Sequence, residues 1–422
     1  GGSVQECVIV GGNRLKGTIR TSGSNNATLP ILAASILNAG KSTIYEVPQL
    51  RDVSVMKDVL TYLGAKIVSD RNTIEIDTSN IQSVEISEEL MRRMRASNLV
   101  LGSLLGRFGR VKISYPGGCQ IGSRPMNLHL KGLQALGATI QEKFGYITAE
   151  AKKLRGTDIH LDLPSVGATE NIMMSAVLAE GVTVIRNAAK EPEIVDLQNF
   201  LNKMGARVKG AGTDTIKIEG VRPRELIPAV HTVIPDRIEA GTHMVAAAIT
   251  GGEVTVTNVI PEHLEPLIAK LREAGVSITV GDDYVKVQGN GRVKAVDIKT
   301  MHYPGFPTDM QPQMMALLSL AEGTSVITET IFENRFKHVA ELRRMGADIK
   351  VEGQSAIIKG VEKLSGAYLE ASDLRAGASL VLAALAAEDG TVLENVHHID
   401  RGYERLEVKY NSLGARIIRV HN

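Results

Sequence analysis

Four residues of this chain have the side chains and the settings to do chemistry: one thiol, two arginines in loops and one carboxylate before a helix. Cys119 stands in Tyr115-Pro116-Gly117-Gly118-Cys119-Gln120-Ile121-Gly122-Ser123-Arg124-Pro125. Prolines and glycines at that density forbid regular structure, so the stretch is a loop. No apolar neighbour buries Cys119, which leaves an idle loop cysteine or a reactive thiol. Arg124, close by, favours the thiolate or ligates an anion. Asp309 lies in Phe306-Pro307-Thr308-Asp309-Met310-Gln311, just before an apolar run. There it either caps a helix or acts as a base, and both readings stay open. Arg401 beside Gly402 fits an anion site in a charged turn, His398-Ile399-Asp400-Arg401-Gly402-Tyr403-Glu404-Arg405. Asp373-Leu374-Arg375 and Met94-Arg95-Ala96-Ser97 open helices, whose first turns attract anions. His129 and His398 lack metal-ligand spacing. No Walker loop, dinucleotide fingerprint or zinc pattern is present, so no metal and no cofactor is expected.

The elements that must position these residues repeat along the chain. Leu63-Gly64-Ala65-Lys66-Ile67 returns as Leu136-Gly137-Ala138, Met204-Gly205-Ala206, Ala274-Gly275-Val276, Met345-Gly346-Ala347 and Leu413-Gly414-Ala415. The six glycines recur at roughly 70-residue intervals, the mark of an internal repeat. Each follows an amphipathic helix, which the glycine ends, and precedes β-branched residues that start a strand. Between them lie helices that are apolar nearly all round, such as Met244-Val245-Ala246-Ala247-Ala248-Ile249, which must be buried on every side. Three such units make a compact core, and six around one axis an awkward one. The expected fold class is therefore α/β, with two pseudo-threefold domains built from six repeats. The chain crosses between them near Ser22-Gly23-Ser24 and near Val233-Ile234-Pro235. This predicts a discontinuous domain, 1–23 plus 234–422, bearing Asp309, and a second, 24–233, bearing the Cys119 loop.

Bulk composition narrows the function. The 422 residues carry 48 Lys+Arg against 47 Asp+Glu, so no global field attracts nucleic acid or an anionic membrane. No Trp and few aromatics argue against base stacking. No apolar run is long enough to span a membrane, and no signal pattern opens the chain. Cys7 and Cys119 make no disulfide framework, so a reducing compartment is expected.

Several stretches together resemble the UDP-N-acetylglucosamine enolpyruvyl transferase family over essentially the whole chain. They are Pro116-Gly117-Gly118-Cys119 with Arg124-Pro125, Ser165-Val166-Gly167-Ala168-Thr169, Glu191-Pro192-Glu193-Ile194-Val195-Asp196 and Pro235-Asp236-Arg237-Ile238-Glu239. Phe306 to Gln311, Thr328 to Phe336 and Asp400 to Arg405 complete them. The resemblance implies an inside-out α/β barrel pair. It implies transfer of the enolpyruvyl group of phosphoenolpyruvate to the 3′-hydroxyl of UDP-N-acetylglucosamine, with release of phosphate. That is the first committed step of peptidoglycan synthesis in a bacterial cytoplasm. By the same resemblance Cys119 protonates the phosphoenolpyruvate methylene and is the residue fosfomycin alkylates, and Asp309 takes the sugar hydroxyl proton. Phosphoenolpyruvate would be held by Asn25, Asn26, Arg124, Arg375 and Arg401. Arg124 and Arg401 would take its phosphate, and Arg375 its carboxylate. The nucleotide sugar would meet Asn26, Arg95, Arg124, Pro125, Met126, Asn127, Leu128, Ser165, Val166, Gly167, Asp309 and Ile331.

One departure stands out. Where the family reads Gly-Ala-Lys-Asn, this chain reads Gly23-Ser24-Asn25-Asn26. An amide cannot supply the lysine's charge. Three readings follow: an introduced substitution, a UDP-sugar-binding paralogue whose transfer is weak, lost or altered, or compensation by another cation such as Arg20. An enolpyruvyl transferase for a different nucleotide is a further alternative, with Asn127 the position to watch.

Overall fold

The computed structural model describes residues 5–93, 98–114 and 126–421. Arg95, Cys119, Arg124 and Pro125 lie outside the described residues. Among those described, the helices are α1 (Asn25–Ala34), α2 (Arg51–Leu63), α3 (Glu88–Arg93), α4 (Val100–Phe108), α5 (Met126–Ala135), α6 (Val166–Ala176) and α7 (Pro192–Lys203). They continue with α8 (Arg237–Ile249), α9 (Glu265–Glu273), α10 (Gln311–Leu318), α11 (His338–Arg344), α12 (Leu374–Ala386) and α13 (Leu406–Asn411). The chain forms two compact units. One is Gly23–Ile234; the other runs to Ser22 and resumes at Pro235.

In the Gly23–Ile234 unit, α1, α4 and α6 are the buried helices; in the discontinuous unit they are α8, α10 and α12. Every residue of α8 after Arg237 is buried. The outer helices bury one stripe only, as α9 does with Leu267, Ile268 and Leu271. Each unit is thus an inside-out barrel, with helices within and sheets and amphipathic helices around them. Close helix packing needs small residues. A Cβ on Gly102 of α4 would lie 2.2 Å from the Asn171 carbonyl oxygen of α6.

Each unit carries three four-stranded sheets on one plan. In one of them Asp158–His160 runs parallel to Val182–Arg186, which pairs antiparallel with Thr215–Glu219 and so joins the hairpin to Arg207–Lys209. The discontinuous unit fills this plan with N-terminal strands. Gln5–Val10 lies antiparallel between Gly390–Glu394 and Arg416–His421, and Lys16–Arg20 runs parallel to Glu253–Thr257. In the other unit Val230–Thr232, late in the chain, pairs with Lys41–Tyr45 and closes its first sheet. All six repeat glycines, Gly64, Gly137, Gly205, Gly275, Gly346 and Gly414, have φ between 97° and 119°, the left-handed turn that ends each outer helix.

Buried charge ties the discontinuous unit together. Glu239 of α8 is fully enclosed; its Oε2 accepts the Ser22 N–H (2.7 Å) and its Oε1 meets Lys409 Nζ (3.0 Å). Burial alone would raise its pKa, but His243 and Lys409 outweigh burial and bring it down to about 2. Burial also lowers the pKa of His243, and that of His338 to about 3. All three groups bind fewer protons folded than unfolded, so their sign is the same. Their stabilisation is complete above the unfolded histidine value near 6.5 and is lost as pH falls toward 3 and then 2. Amide exchange in peptides from α8 and α11, corrected for intrinsic rates, is expected to lose protection steadily below neutral pH. Protection unchanged down to acid pH would contradict this assignment.

Candidate active site

The discontinuous unit brings Asp309, Arg335, Arg375, Arg237 and Tyr403 into one electrostatic cluster. Asp309 sits in the short 3-10 turn Thr308–Met310 ahead of α10. It does not cap that helix, whose N-cap is Met310 without a side-chain bond, so the capping alternative is excluded. Its carboxylate instead meets Arg335 Nη2 at 3.0 Å, and Arg335 Nη1 also donates to Thr308 Oγ1 at 3.0 Å. Burial would push the Asp309 carboxyl up, but Arg375, Arg335 and Arg237 together hold it below the usual carboxylate range. Asp309 is therefore anionic throughout neutral pH and faces three cations.

Arg375 lies in the first turn of α12, where Asp373 is the cap and accepts from Arg375 N (3.1 Å) and Ala376 N (2.9 Å). Its side chain is buried, which opposes its charge, yet Tyr403, Asp309 and Asp236 more than restore it. Arg375 Nη1 donates to the Tyr403 hydroxyl at 3.1 Å. That hydroxyl also lies 2.8 Å from Thr242 Oγ1 and 3.3 Å from Gln313 Nε2. Glu329, also buried, gathers the segments around Thr308 and Ile331. It accepts from Thr300 (2.7 Å), Thr308 (2.7 Å), Gln311 (3.3 Å) and the N–H groups of Ile331 (3.0 Å) and Phe332 (3.3 Å). Ile331 is thereby fixed by its backbone. Arg401 closes the 3-10 turn Val396–Arg401, exposed, two residues before Tyr403.

The Gly23–Ile234 unit holds the other expected residues. Ser24 caps α1 by accepting from Ala27 N at 3.1 Å, which puts Asn25 and Asn26 in the first turn. Asn25 is buried and its Nδ2 donates to Asp52 Oδ2 at 3.4 Å. Its Oδ1 has no hydrogen-bond partner among the described residues. Asn26 is exposed. Ser165 caps α6 by accepting from Ala168 N at 3.2 Å, and so orients Val166 and Gly167.

His129 joins that helix start to Met126, Asn127 and Leu128 on α5. A Cβ on Gly167 would lie 2.7 Å from His129 Cε1, so the glycine makes room for the imidazole. Asn171 Oδ1 accepts from Gly102 N (2.8 Å), and its Nδ2 donates to Asn98 O (3.1 Å) and meets His129 Nδ1 at 2.7 Å. That places the imidazole proton on Nε2. Burial lowers the His129 pKa to about 4, so the ring is neutral. It is a core histidine.

The structure thus gathers Asp309, Arg375 and Ile331 in one unit, and Asn25 with Asn26, and Met126 to Leu128 with Ser165 to Gly167, in the other. Sequence reasoning gave no role to Arg335, Arg237, Tyr403 or Glu329. They are distant in sequence from Asp309, and no local pattern signals an arginine that only tertiary packing brings to a carboxylate.

Comparison with known proteins gives this geometry a family. The sequence profile of the EPSP synthase (3-phosphoshikimate 1-carboxyvinyltransferase) family matches residues 9–409. A UDP-N-acetylglucosamine 1-carboxyvinyltransferase 1 from Carboxydothermus hydrogenoformans is 58% identical over 418 residues, covering 99% of each chain. A namesake from Caldanaerobacter subterraneus is 59% identical over 405 residues, 96% of this chain and 97% of that one. Among solved structures, the enolpyruvyl transferase NikO from Streptomyces tendae matches with a TM-score of 0.90 at 27% identity, covering 100% of both chains. EPSP synthase from Acinetobacter baumannii has a TM-score of 0.77 at 20% identity, over 99% of this chain and 100% of that one, and shares the fold. With the profile covering nearly all of it and relatives this similar, the chain belongs to the EPSP synthase family of carboxyvinyltransferases.

Proposed function

We propose that this enzyme transfers the enolpyruvyl group of phosphoenolpyruvate to the 3′-hydroxyl of UDP-N-acetylglucosamine and releases phosphate. The observation that carries the reading is an ionised Asp309 held among Arg335, Arg375 and Arg237. That is a base set beside cations for an anionic substrate. Relatives more than half identical to this chain, named for that transfer, support the choice of substrates over the binding-paralogue alternative.

In the reaction, Asp309 takes the 3′-hydroxyl proton as the sugar oxygen bonds to C2 of phosphoenolpyruvate. Cys119 supplies the proton that converts C3 from methylene to methyl. Loss of a C3 proton and of phosphate from C2 then restores the double bond. Positive charge develops at C2 while the substrate stays multiply anionic, so fixed guanidinium groups stabilise the anion without reorganising. Arg375 binds the carboxylate, and Arg124 and Arg401 the phosphate. A substrate carboxylate on Arg375 shares the field that otherwise depresses Asp309. Substrate binding therefore strengthens the base when it is needed. Arg95, Arg124, Pro125, Met126, Asn127, Leu128, Ser165, Val166, Gly167 and Ile331 seat the nucleotide sugar. Cys119 is the site of alkylation by fosfomycin, and the work is done in the bacterial cytoplasm.

The test is phosphate release on mixing the protein with both substrates. Release that needs both of them, and stops after fosfomycin treatment with one adduct at Cys119 by mass spectrometry, is expected. UDP-N-acetylglucosamine binding without any release would replace this reading with the binding paralogue.

A further inference from the structure

Arg419 lies on the last strand, Arg416–His421, away from the Asp309 cluster, yet every N–H of its guanidinium is engaged. Nη1 donates to Asp400 Oδ2 (2.7 Å) and Gln5 Oε1 (3.2 Å). Nη2 donates to Asp400 Oδ1 (2.8 Å) and Glu407 Oε2 (3.1 Å), and Nε to Glu407 Oε1 (3.1 Å). A guanidinium has five such donors, so none is left over. Asp400 and Glu407 bracket the turn that carries Arg401 and Tyr403. Within it Arg405 is left-handed (φ 50°), a backbone state that needs support from its surroundings. Past the turn, Lys409 Nζ holds Arg20 O (3.1 Å), Ser22 Oγ (2.8 Å) and Glu239 Oε1 (3.0 Å).

The turn is thus strapped at both ends, and its middle reaches the site through the Tyr403 hydroxyl and Arg375. Two bidentate forks fix orientation as well as attraction, which a single ammonium cannot do.

We infer that Arg419 is a positioning residue for phosphoenolpyruvate. By locking Asp400 and Glu407 it sets the turn from which Arg401 and Tyr403 fix the phosphate and carboxylate ends of that substrate. The inference rests on the transferase reading above.

The experiment is steady-state phosphate release, with KM for each substrate, in the wild type, Arg419→Met, Arg419→Lys and Arg186→Met. Arg186 forks onto Asp158 of the neighbouring strand (2.7 and 3.2 Å), both side chains exposed, and controls for the loss of any such pair. Misplacing a binding group by about an ångström costs on the order of tenfold to a hundredfold. Arg419→Met is expected to raise KM for phosphoenolpyruvate by that factor, and KM for UDP-N-acetylglucosamine by much less. Arg419→Lys, which keeps the positive charge, falls between, and Arg186→Met matches the wild type. An unchanged KM for phosphoenolpyruvate in Arg419→Lys and in any folded Arg419→Met overturns the inference and leaves Arg419 a purely structural role. A wild type that neither releases phosphate nor takes up phosphoenolpyruvate in calorimetry refutes the transferase reading, and this inference with it.

Discussion

Replacing Asp309 by alanine is expected to slow phosphate release by about a hundredfold to ten-thousandfold, the range that a positioned general base contributes. The carboxylate meets Arg335 at 3.0 Å and lies in the field of Arg375 and Arg237. Removing it takes away the proton acceptor and leaves those cations uncompensated. Phosphoenolpyruvate binding should therefore persist or tighten in the variant while turnover collapses. Calorimetry beside single-turnover phosphate release separates the two effects. Weakened binding with an unchanged chemical step would assign Asp309 to substrate contact and not to proton transfer. The pH profile carries a second sign. Because the Asp309 pKa is lowered in the free enzyme, the base stays ionised well below neutral pH. An acid limb in kcat/KM near pH 6 would have to come from another group.

Asn25→Lys is expected to accelerate phosphate release by on the order of a hundredfold, the effect of restoring one charged group beside a multiply anionic substrate. Asn25 is buried in the first turn of α1, with Asp52 Oδ2 3.4 Å from its amide nitrogen and its own Oδ1 without a partner among the described residues. A lysine there would pair with Asp52, which offsets the cost of its burial, and its charge would act in a setting that water screens poorly. Rates of the two proteins, measured side by side with their melting temperatures, decide the matter. Equal and fast rates would mean that another cation already does this work. A slower, destabilised variant would mean that the site is packed for an amide.

The repeat was legible because it is local. A glycine after an amphipathic helix must turn left-handed wherever that helix lies, and all six do. A helix apolar on every side has only one kind of place to go, and α8 is buried from Ile238 to Ile249. The chain divides into two compact units at Ser22 and at Ile234. The signature stretches carried the family.

Tertiary structure alone decided what surrounds each charge. Nothing next to Asp309 in the sequence says whether it caps a helix or faces arginines, since Arg335 and Arg375 reach it through folding. Nothing near Arg401 announces Arg419, a strand residue that folding brings onto Asp400 and Glu407 and, across the sheet, onto Gln5 of the N-terminal strand. Periodicity and turn chemistry are properties of neighbouring residues, so the sequence by itself determined the buried and amphipathic helices, the glycine turns after them and the six-fold plan. A pKa or a positioned base is a property of everything within a few ångströms in space, and only the folded chain determines that.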